Sequence, residues 1–195
     1  MNAVLALDIS LVSTGWVVVD AAAQPEPLLA HGCIKTAPDR QNRLKGVDDI
    51  TRVSGMVSQL NSIIAEHRPS LIVGELPYGS QSASSCKAQG ICLGVFAALR
   101  VYHAIPCQWV TPQSSKKAVC GRKDASKEAV QAVVLQVWPD IAMLGGKPTA
   151  DSKLEHIADA LAAIVSARDS DLYRMVAQQA QQQAIRGDGQ AVMAV

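Results

Sequence analysis

Two acidic residues stand at the ends of apolar segments that have the composition of buried β-strands. Asp8 closes the run "VLALD", and Glu75 closes the run "LIVGE". Farther along the chain, His156 and Asp159 lie three positions apart in a helical pattern, so their side chains project from one side of a helix. A charge at the end of a buried strand costs desolvation energy unless a cation, a basic side chain or water meets it. Each residue alone also fits a structural role as a turn residue, a surface acid or a half-buried histidine, but the set predicts one shared site.

Metal-ion catalysis is the chemistry expected of this set. Clustered carboxylates repel one another unless a divalent cation neutralises them. Oxygen-rich clusters suit Mg²⁺ or Mn²⁺, and an imidazole such as that of His156 shifts the preference somewhat toward Mn²⁺. Two such ions can polarise a phosphodiester, activate a water molecule and stabilise the leaving oxygen.

The totals of the sequence limit the class of protein. The chain has 195 residues, 49% of them hydrophobic, which fits one domain of ordinary size. No uncharged stretch approaches the ~18 residues of a membrane span, and the start "MNAVLALD" lacks the features of a signal peptide. The five cysteines have no Cys-x-x-Cys spacing, which favours reduced thiols in the cytoplasm over disulfides or a zinc site. Because the formal net charge is only +1, any nucleic-acid surface must be local.

The elements that position the site follow from the apolar periodicity. Short apolar runs bounded by turn residues predict strands at 3–8, 16–20, 27–35, 71–75 and 107–111. Spacings of three and four residues, with capping residues, predict helices over about 47–64, 82–103, 112–121, 126–138 and 152–168. This order favours one mixed sheet with flanking helices. We expect residues 1–169 to form the domain and the Gln- and Ala-rich segment 170–195 to be a loosely attached helix with a frayed end.

Two of these helices have informative sides. The first places its apolar residues on one side that we expect to face the core, namely Val47, Ile50, Val53, Val57, Leu60 and Ile64. The last has a core stripe of Leu154, Ile157, Leu161 and Val165. Its opposite side continues past Asp159 with alanines and carries no charge until Arg168, which is typical of a covered side. The segment from Ser152 to Glu155 has the form of a capping box, so Glu155 either caps the helix or leans toward the metals.

The candidate residues belong to an ordered set of motifs. Asp8 precedes Thr14-Gly15-Trp16, the strand that ends at Glu75 is followed by Tyr78, and His156-Ile-Ala-Asp159 is followed by Ala-Leu-Ala. In this order, over about residues 3 to 168, the chain resembles the RuvC-type Holliday-junction resolvases of the RNase H-like nuclease superfamily. The family's usual Asp-Pro-Gly start is Asp8-Ile9-Ser10 here, a form more similar to phage-borne relatives.

The resemblance implies a fold, a reaction and an assembly. The fold would be α/β and RNase H-like, with a mixed five-stranded sheet of three antiparallel strands followed by two parallel ones. Asp8, Glu75, His156 and Asp159 would be the catalytic residues of an endonuclease and would hold two Mg²⁺ or Mn²⁺ ions. The substrate would be four-way or otherwise branched DNA, cut by paired symmetric nicks during recombination and repair. Helix 82–103, which is rich in small residues, would join two subunits into a two-fold homodimer.

A local cluster of positive charge is the expected DNA contact. Segment 116–128 has five basic residues against two acids, and the basic ones are Lys116, Lys117, Arg122, Lys123 and Lys127. Phosphate contacts of this kind give affinity without reading sequence. The family carries lysines before and after a glycine here, which Lys116 and Lys127 match around Gly121. Further positive charge is available from Arg40, Arg43 and Lys45. The alternative is an ordinary solvated surface.

Tyr78 is the residue that the resemblance places at the crossover of the junction. An aromatic face stacks well on unpaired bases. The structural alternative is a tyrosine that covers the end of the sheet.

Three other interpretations compete with this one. An ATP-binding loop of the sugar-kinase and actin kind would need a second loop and a second domain, for which 195 residues leave no room. A module that binds junctions without cutting them is opposed by the presence of all four ligand residues. A nuclease for RNA–DNA hybrids or for simpler flaps would use the same chemistry.

Overall fold

The computed structural model describes residues 2–39, 41, 44–76, 79 and 82–192, with side chains described up to residue 182. Its strands are β1 (Ala3–Asp8), β2 (Ser13–Asp20), β3 (Leu28–Lys35), β4 (Leu71–Glu75), β5 (Cys107–Val110), β6 (Met143–Leu144) and β7 (Lys147–Pro148). Its helices are α1 (Lys45–His67), α2 (Ala83–His103), α3 (Pro112–Cys120), α4 (Lys127–Val137), α5 (Asp151–Ala167) and α6 (Asp171–Val192), with a 3₁₀ turn over Pro139–Ala142. Among the described residues, no helix is both long and apolar enough to cross a membrane.

The main sheet has five strands in the order β3-β2-β1-β4-β5. The pairs β1–β2 and β2–β3 are antiparallel, whereas β1–β4 and β4–β5 are parallel. This arrangement confirms the predicted mixed sheet. β2 begins three residues earlier than expected, at Ser13, and the predicted loop after the 3₁₀ turn contains the small hairpin β6–β7.

Apolar side chains cover both faces of this sheet. Because successive residues of a strand point to opposite faces, Val4 and Ala6 of β1 face one core, which α3, α4, α5 and α6 complete. Leu5 and Leu7 of the same strand face the other core, which α1 and α2 complete. The sheet is therefore the middle of three layers. The carboxyl-terminal ends of the neighbouring strands β1 and β4 lie side by side where the sheet ends.

Helix α5 is buried along most of its length. Beyond its predicted core stripe, Ala160, Ala162, Ala163 and Ile164 are all at most 1% exposed. The prediction that the side bearing His156 and Asp159 is covered is confirmed. Gly15 explains how α5 approaches β2 so closely, since a Cβ atom at this position would lie 2.1 Å from the carbonyl oxygen of His156. The glycine of the Thr-Gly motif is thus required by helix–strand packing.

The first turns of α1 do not bury the side that the sequence predicted. Met56, Leu60 and Ile64 are buried as expected, but Val47 is 47% exposed and Ile50 is 67% exposed. Polar contacts decide the orientation of this end of α1. Arg52 donates to the carbonyl oxygen of Leu11 at 2.9 Å, and Asp48 accepts from the backbone N–H of Asp39 at 2.8 Å. The expectation for Val47 and Ile50 is therefore wrong.

The predicted capping box at Ser152 is also wrong. Helix α5 begins at Asp151 with Ala150 as its N-cap, and no side chain caps it. Ser152 consequently lies inside the first turn, where it cannot act as N-cap. Its hydroxyl instead accepts from the Lys35 ammonium at 3.0 Å. Glu155 is left without the predicted capping role.

Helix α6 begins close to the expected position but is more firmly attached than predicted. Tyr173, Val176 and Ala180 are buried and belong to the core on the α5 side of the sheet. The Tyr173 hydroxyl donates to Glu26 Oε1 at 2.7 Å. The first half of α6 is therefore part of the packed domain, and the expectation of a loosely attached helix is wrong for this half.

Candidate active site

The pairing of β1 with β4 brings two acidic residues together. In this parallel pair, Asp8 lies directly beside Glu75, and both are the last residues of their strands. Adjacent residues on neighbouring strands point to the same side of the sheet. The two carboxylates, which lie 67 positions apart in the sequence, therefore leave the sheet at one point.

The turn after Asp8 is held by hydroxyl groups. Ser10 Oγ donates to the carbonyl oxygen of Ser13 at 2.7 Å and accepts from the Ser13 N–H at 3.0 Å. Buried Thr14 donates to the carbonyl oxygen of Ser10 at 3.0 Å. These bonds fix the turn although it lacks the family's glycine. The chain thus returns into β2 while Asp8 stays at the edge.

Helix α5 supplies the other two residues of the site. His156 Nδ1 lies 2.7 Å from Asp8 Oδ2. Asp159 lies one helical turn farther along and faces the same cleft of about 280 Å³. The structure therefore brings together all four residues that the sequence singled out. The remaining lining residues are Ser10, Pro112, Ser115, Lys116, Lys127, Val130, Glu155 and Ala162.

Burial and mutual repulsion make the carboxyl groups of this cleft reluctant to ionise. Burial, with the charges of Asp8 and Asp159 adding to it, raises the pKa of Glu75 to about 7. Burial and the charge of Asp8 raise the pKa of Asp159 to about 6. In each case the ionised form is disfavoured because water is excluded and like charges are near. A cation bound between these groups would relieve both effects.

The same negative charges favour the ionised form of the histidine. Its hydrogen bond to Asp8 raises the pKa of His156, because the carboxylate stabilises the imidazolium. Since Nδ1 faces Asp8, the Nε2 atom of the ring is the one left to face other groups. The pair can therefore hold or release a proton beside the acidic cluster.

Comparisons with known proteins decide the family of this arrangement. The family model of crossover junction endodeoxyribonuclease RuvC matches residues 4–167, a span that contains all four site residues. The chain belongs to this family.

Individual relatives agree with this assignment. The chain is 28% identical over 149 residues to crossover junction endodeoxyribonuclease RuvC of Neisseria meningitidis serogroup C, covering 76% of this chain and 78% of the relative. It is 31% identical over 162 residues to the protein of the same name from Nitratidesulfovibrio vulgaris strain DP4, covering 83% of this chain and 87% of the relative. The particular likeness to phage-borne members stays a prediction.

Solved structures share the fold. A structure of T. thermophilus RuvC in complex with Holliday junction substrate superimposes with a TM-score of 0.66 at 22% identity, covering 85% of this chain and 92% of that chain. The yeast mitochondrial Holliday junction resolvase Ydc2 superimposes with a TM-score of 0.58 at 14% identity, covering 93% and 84% of the two chains. The RNase H-like fold expected from the sequence is thereby confirmed.

The basic residues predicted for this RuvC-family chain fall into two groups. Lys116, in the middle of α3, and Lys127, the first residue of α4, line the acidic cleft. Exposed Lys117, Arg122 and Lys123 do not line it, and Arg122 Nε lies 3.1 Å from Asp124 Oδ1. The other residues predicted for DNA contact, Tyr78, Arg40 and Arg43, lie outside the described residues, whereas exposed Lys45 is the first residue of α1.

Sequence reasoning did not single out Ser115. This residue of α3 is only 2% exposed and lies in the cleft, where its hydroxyl lowers the pKa of Glu75 against the effect of burial. A serine inside the run "PQSSKK" carries no signal of its own, because only the packing of α3 against the end of β4 brings it to the acid.

A second hollow lies on the other side of the two strand-end acids. It measures about 230 Å³, and besides Asp8 and Glu75 its lining includes Leu11, Leu76, Ala88, Gln89 and Cys92. Burial and the charge of Asp8 raise the pKa of Cys92 to about 11. The thiol is therefore protonated at neutral pH and is not a nucleophile.

The donor set fits a hard divalent cation in its chemistry. Four carboxylates (Asp8, Glu75, Glu155 and Asp159) and the His156 imidazole line one cleft, and the carboxyl groups of Glu75 and Asp159 have raised pKa values that a cation would lower. Among the described residues, no three His, Cys, Asp or Glu side chains converge closely enough to define the position of an ion. The ligand roles of these residues therefore belong to the proposal below.

Replacing Glu75 with glutamine (Glu75→Gln) is expected to stabilise the metal-free protein at pH 8. The folded protein binds a proton on Glu75 up to about pH 7, whereas the unfolded chain loses it near pH 4.5. Because the unfolded state binds fewer protons between these values, stability falls as pH rises through this window and stays lower above it. We expect the variant to melt a few degrees higher at pH 8 in EDTA, and the difference to shrink toward pH 5.

Differential scanning fluorimetry over this pH range measures the effect. Glu66→Gln, at an exposed position of α1, is the matched control for loss of a carboxylate. A melting temperature of Glu75→Gln that is equal to or below that of the parent at pH 8 would contradict the prediction.

Proposed function

We propose that this chain is a divalent-metal-dependent endonuclease that resolves four-way DNA junctions by paired symmetric nicks. The observation that carries the proposal is the convergence of Asp8, Glu75, His156 and Asp159 on one cleft in a chain of the RuvC family. The relatives named above support the reaction, since they are crossover junction endodeoxyribonucleases. The broader alternatives of flap or hybrid cleavage use the same residues and are outcomes of the experiment below.

The residues of the cleft divide the chemical work. Asp8, Glu75, His156 and Asp159 would hold two Mg²⁺ or Mn²⁺ ions, which supply charge neutralisation and an activated water for phosphodiester hydrolysis. Asp8 also orients His156 through the hydrogen bond to Nδ1. Ligation by Nε2 and proton transfer are alternative roles for His156: if its Nε2 atom holds no ion, the imidazolium favoured by Asp8 can donate a proton to the leaving oxygen.

The DNA is expected to approach from the side of α3 and α4. Lys116 and Lys127 stand beside the acids and would contact phosphates next to the cut. Lys117, Arg122 and Lys123 are exposed farther out and would contact the flanking arms. Tyr78 remains the residue proposed to stack on bases at the crossover. We further infer that the protein acts in the cytoplasm.

A homodimer would match the two-fold symmetry of a four-way junction. Small and apolar residues are exposed on the side of α2 that is turned away from the sheet. They include Gly90, Leu93, Gly94, Ala97, Ala98, Val101 and Tyr102. Val101 is 80% exposed and Tyr102 is 79% exposed, which is unusual for side chains of this size unless a partner covers them. We propose that this side of α2 packs against its equivalent in a second copy.

Gly94→Arg is expected to convert the dimer to a monomer. A Cβ atom at Gly94 meets nothing within 4 Å in the single chain, so the arginine fits the folded subunit and obstructs only a partner. Gly55→Arg, at an exposed helical glycine of α1 with the same open surroundings, is the matched control. Sedimentation velocity measures whether the parent and each variant are monomers or dimers. A monomeric parent, or a dimeric Gly94→Arg protein, would contradict the proposal.

The function is tested with a synthetic four-way junction labelled in turn on each strand. Duplex, flap and RNA–DNA hybrid are assayed beside it, with Mg²⁺ and with Mn²⁺. Paired nicks at symmetric positions on the junction alone support the proposal. Equal cutting of flaps or hybrids retains the chemistry and overturns the substrate, whereas binding without cutting in either metal overturns the enzymatic function.

A further inference from the structure

Glu155 contacts a lysine across the cleft. The Lys127 ammonium and the Glu155 carboxylate form an ion pair through Oε1. Both side chains line the same cleft as the four acidic-site residues, Lys127 being 63% exposed and Glu155 35% exposed. Since α5 has no capping box, this ion pair is the hydrogen-bonded contact of the Glu155 side chain among the described residues.

The position of Lys127 in its helix makes this partner significant. Lys127 is the first residue of α4, directly after the N-cap Ser126. The N-terminus of a helix carries partial positive charge, so a lysine there is less favourable than an acid. Glu155 compensates this charge and directs the ammonium toward the cleft. The pairing also raises the pKa of Lys127, which keeps it cationic.

Lys127 is therefore paired with Glu155 in the absence of nucleic acid. A carboxylate and a DNA phosphate are both oxyanions that accept charge-assisted hydrogen bonds from an ammonium. Lys127 cannot give its full charge to a phosphate while Glu155 holds it. For a phosphate to enter this corner of the cleft, the internal ion pair must open.

We propose that Glu155 is an internal competitor of the DNA phosphate for Lys127. In the free protein the carboxylate positions Lys127 over the cleft, and on substrate binding a phosphate displaces it. This inference rests on the proposed function. It makes Glu155 a positioning residue that acts through Lys127 and not a ligand of the metal ions.

The competition has a distinct signature in DNA binding. Removing the carboxylate (Glu155→Gln) is expected to tighten junction binding about two- to fivefold, the range for an exposed ion pair. The freed lysine then releases a full counterion from the DNA, so the slope of log K against log salt should become steeper by up to about 1. Binding is measured by fluorescence anisotropy in EDTA at salt concentrations from about 50 to about 300 mM, and log K is plotted against log salt.

A double-mutant cycle separates this role from general repulsion of DNA by a negative charge. If Glu155 acts through Lys127, Glu155→Gln should have no effect on binding in a Lys127→Gln background. Glu128→Gln removes a neighbouring carboxylate that forms no ion pair with Lys127 among the described contacts, and it is expected to change binding less than twofold. An equal tightening in the Lys127→Gln background would overturn the proposal.

Cutting kinetics give the second readout. The ion pair is already open when a phosphate is bound. Glu155→Gln is therefore expected to lower KM by about two- to fivefold and to leave kcat unchanged. A loss of cutting that higher Mn²⁺ restores would instead show that Glu155 serves the metal site. Failure of the parent protein to bind junctions would overturn the proposed function itself, whereas normal parent binding with no effect of Glu155→Gln would overturn only this inference.

Discussion

Replacing Asp8 with asparagine (Asp8→Asn) is expected to slow junction cutting by at least about a hundredfold while junction binding changes only a few-fold. Asp8 is the centre of the site. Its charge raises the pKa of both Glu75 and Asp159, and its Oδ2 atom lies 2.7 Å from His156 Nδ1. Asparagine keeps the shape of the side chain but removes the carboxylate that we propose as a metal ligand and the anion that orients the imidazole.

The assay is single-turnover cutting of the labelled junction, with binding measured separately in EDTA. Asp20→Asn is the matched control, because Asp20 is a half-buried acid at the other end of β2 whose Oδ1 accepts from the Ala22 N–H, a bond that asparagine can also accept. Retention of more than about a tenth of the parent rate in Asp8→Asn would contradict the central role of this residue.

Replacing Glu26 with glutamine (Glu26→Gln) is expected to lower the free energy of unfolding by about 3 kcal/mol. Glu26 is 1% exposed and receives two hydrogen bonds from Arg168, of which the one from Nε to Oε1 is 2.9 Å long. The Tyr173 hydroxyl also donates to it. Burial and the Glu26 carboxylate raise the pKa of Tyr173, so this hydroxyl stays protonated and remains a donor.

The cost is large because glutamine leaves a partly buried guanidinium without its counter-charge. Urea unfolding followed by circular dichroism measures it. Tyr173→Phe, which removes one hydrogen bond and keeps the ion pair, should cost about 1 kcal/mol. Arg174→Gln, which removes exposed pairs with Asp169 and Asp171, should change stability by less than about 0.5 kcal/mol. Equal effects of the three substitutions would contradict a special role for the buried cluster.

The sequence by itself determined the strands of the main sheet and the four residues of the site. Strands such as "LIVGE" are short apolar runs bounded by prolines, and their ends mark where a polar side chain must leave the core. Asp8 and Glu75 could be identified because an acid at such an end is costly without a partner. His156 and Asp159 could be identified because helical spacing sets their common side. These signals are local, so they survive without knowledge of the tertiary packing.

The orientation of α1 was decided by tertiary contacts. Val47 and Ile50 share the helical period of the buried residues, yet they are exposed. Arg52 turns toward the core instead, since it bonds to the carbonyl oxygen of Leu11 in a loop that lies far away in the sequence. Periodicity reports which residues share a side of a helix, but it does not report where the helix ends its contact with the sheet.

The partners of individual charged residues were likewise decided only by the tertiary structure. Glu26 pairs with Arg168 across 142 positions, and Glu155 pairs with Lys127 across 28. The sequence suggested a capping role for Glu155, because a capping box depends on local spacing alone. Which cation meets which carboxylate depends on the angle and distance between packed elements, and these follow from the shape of the whole core. The positions of the chemical groups were therefore readable in the sequence, whereas the pairs that they form were set by the fold.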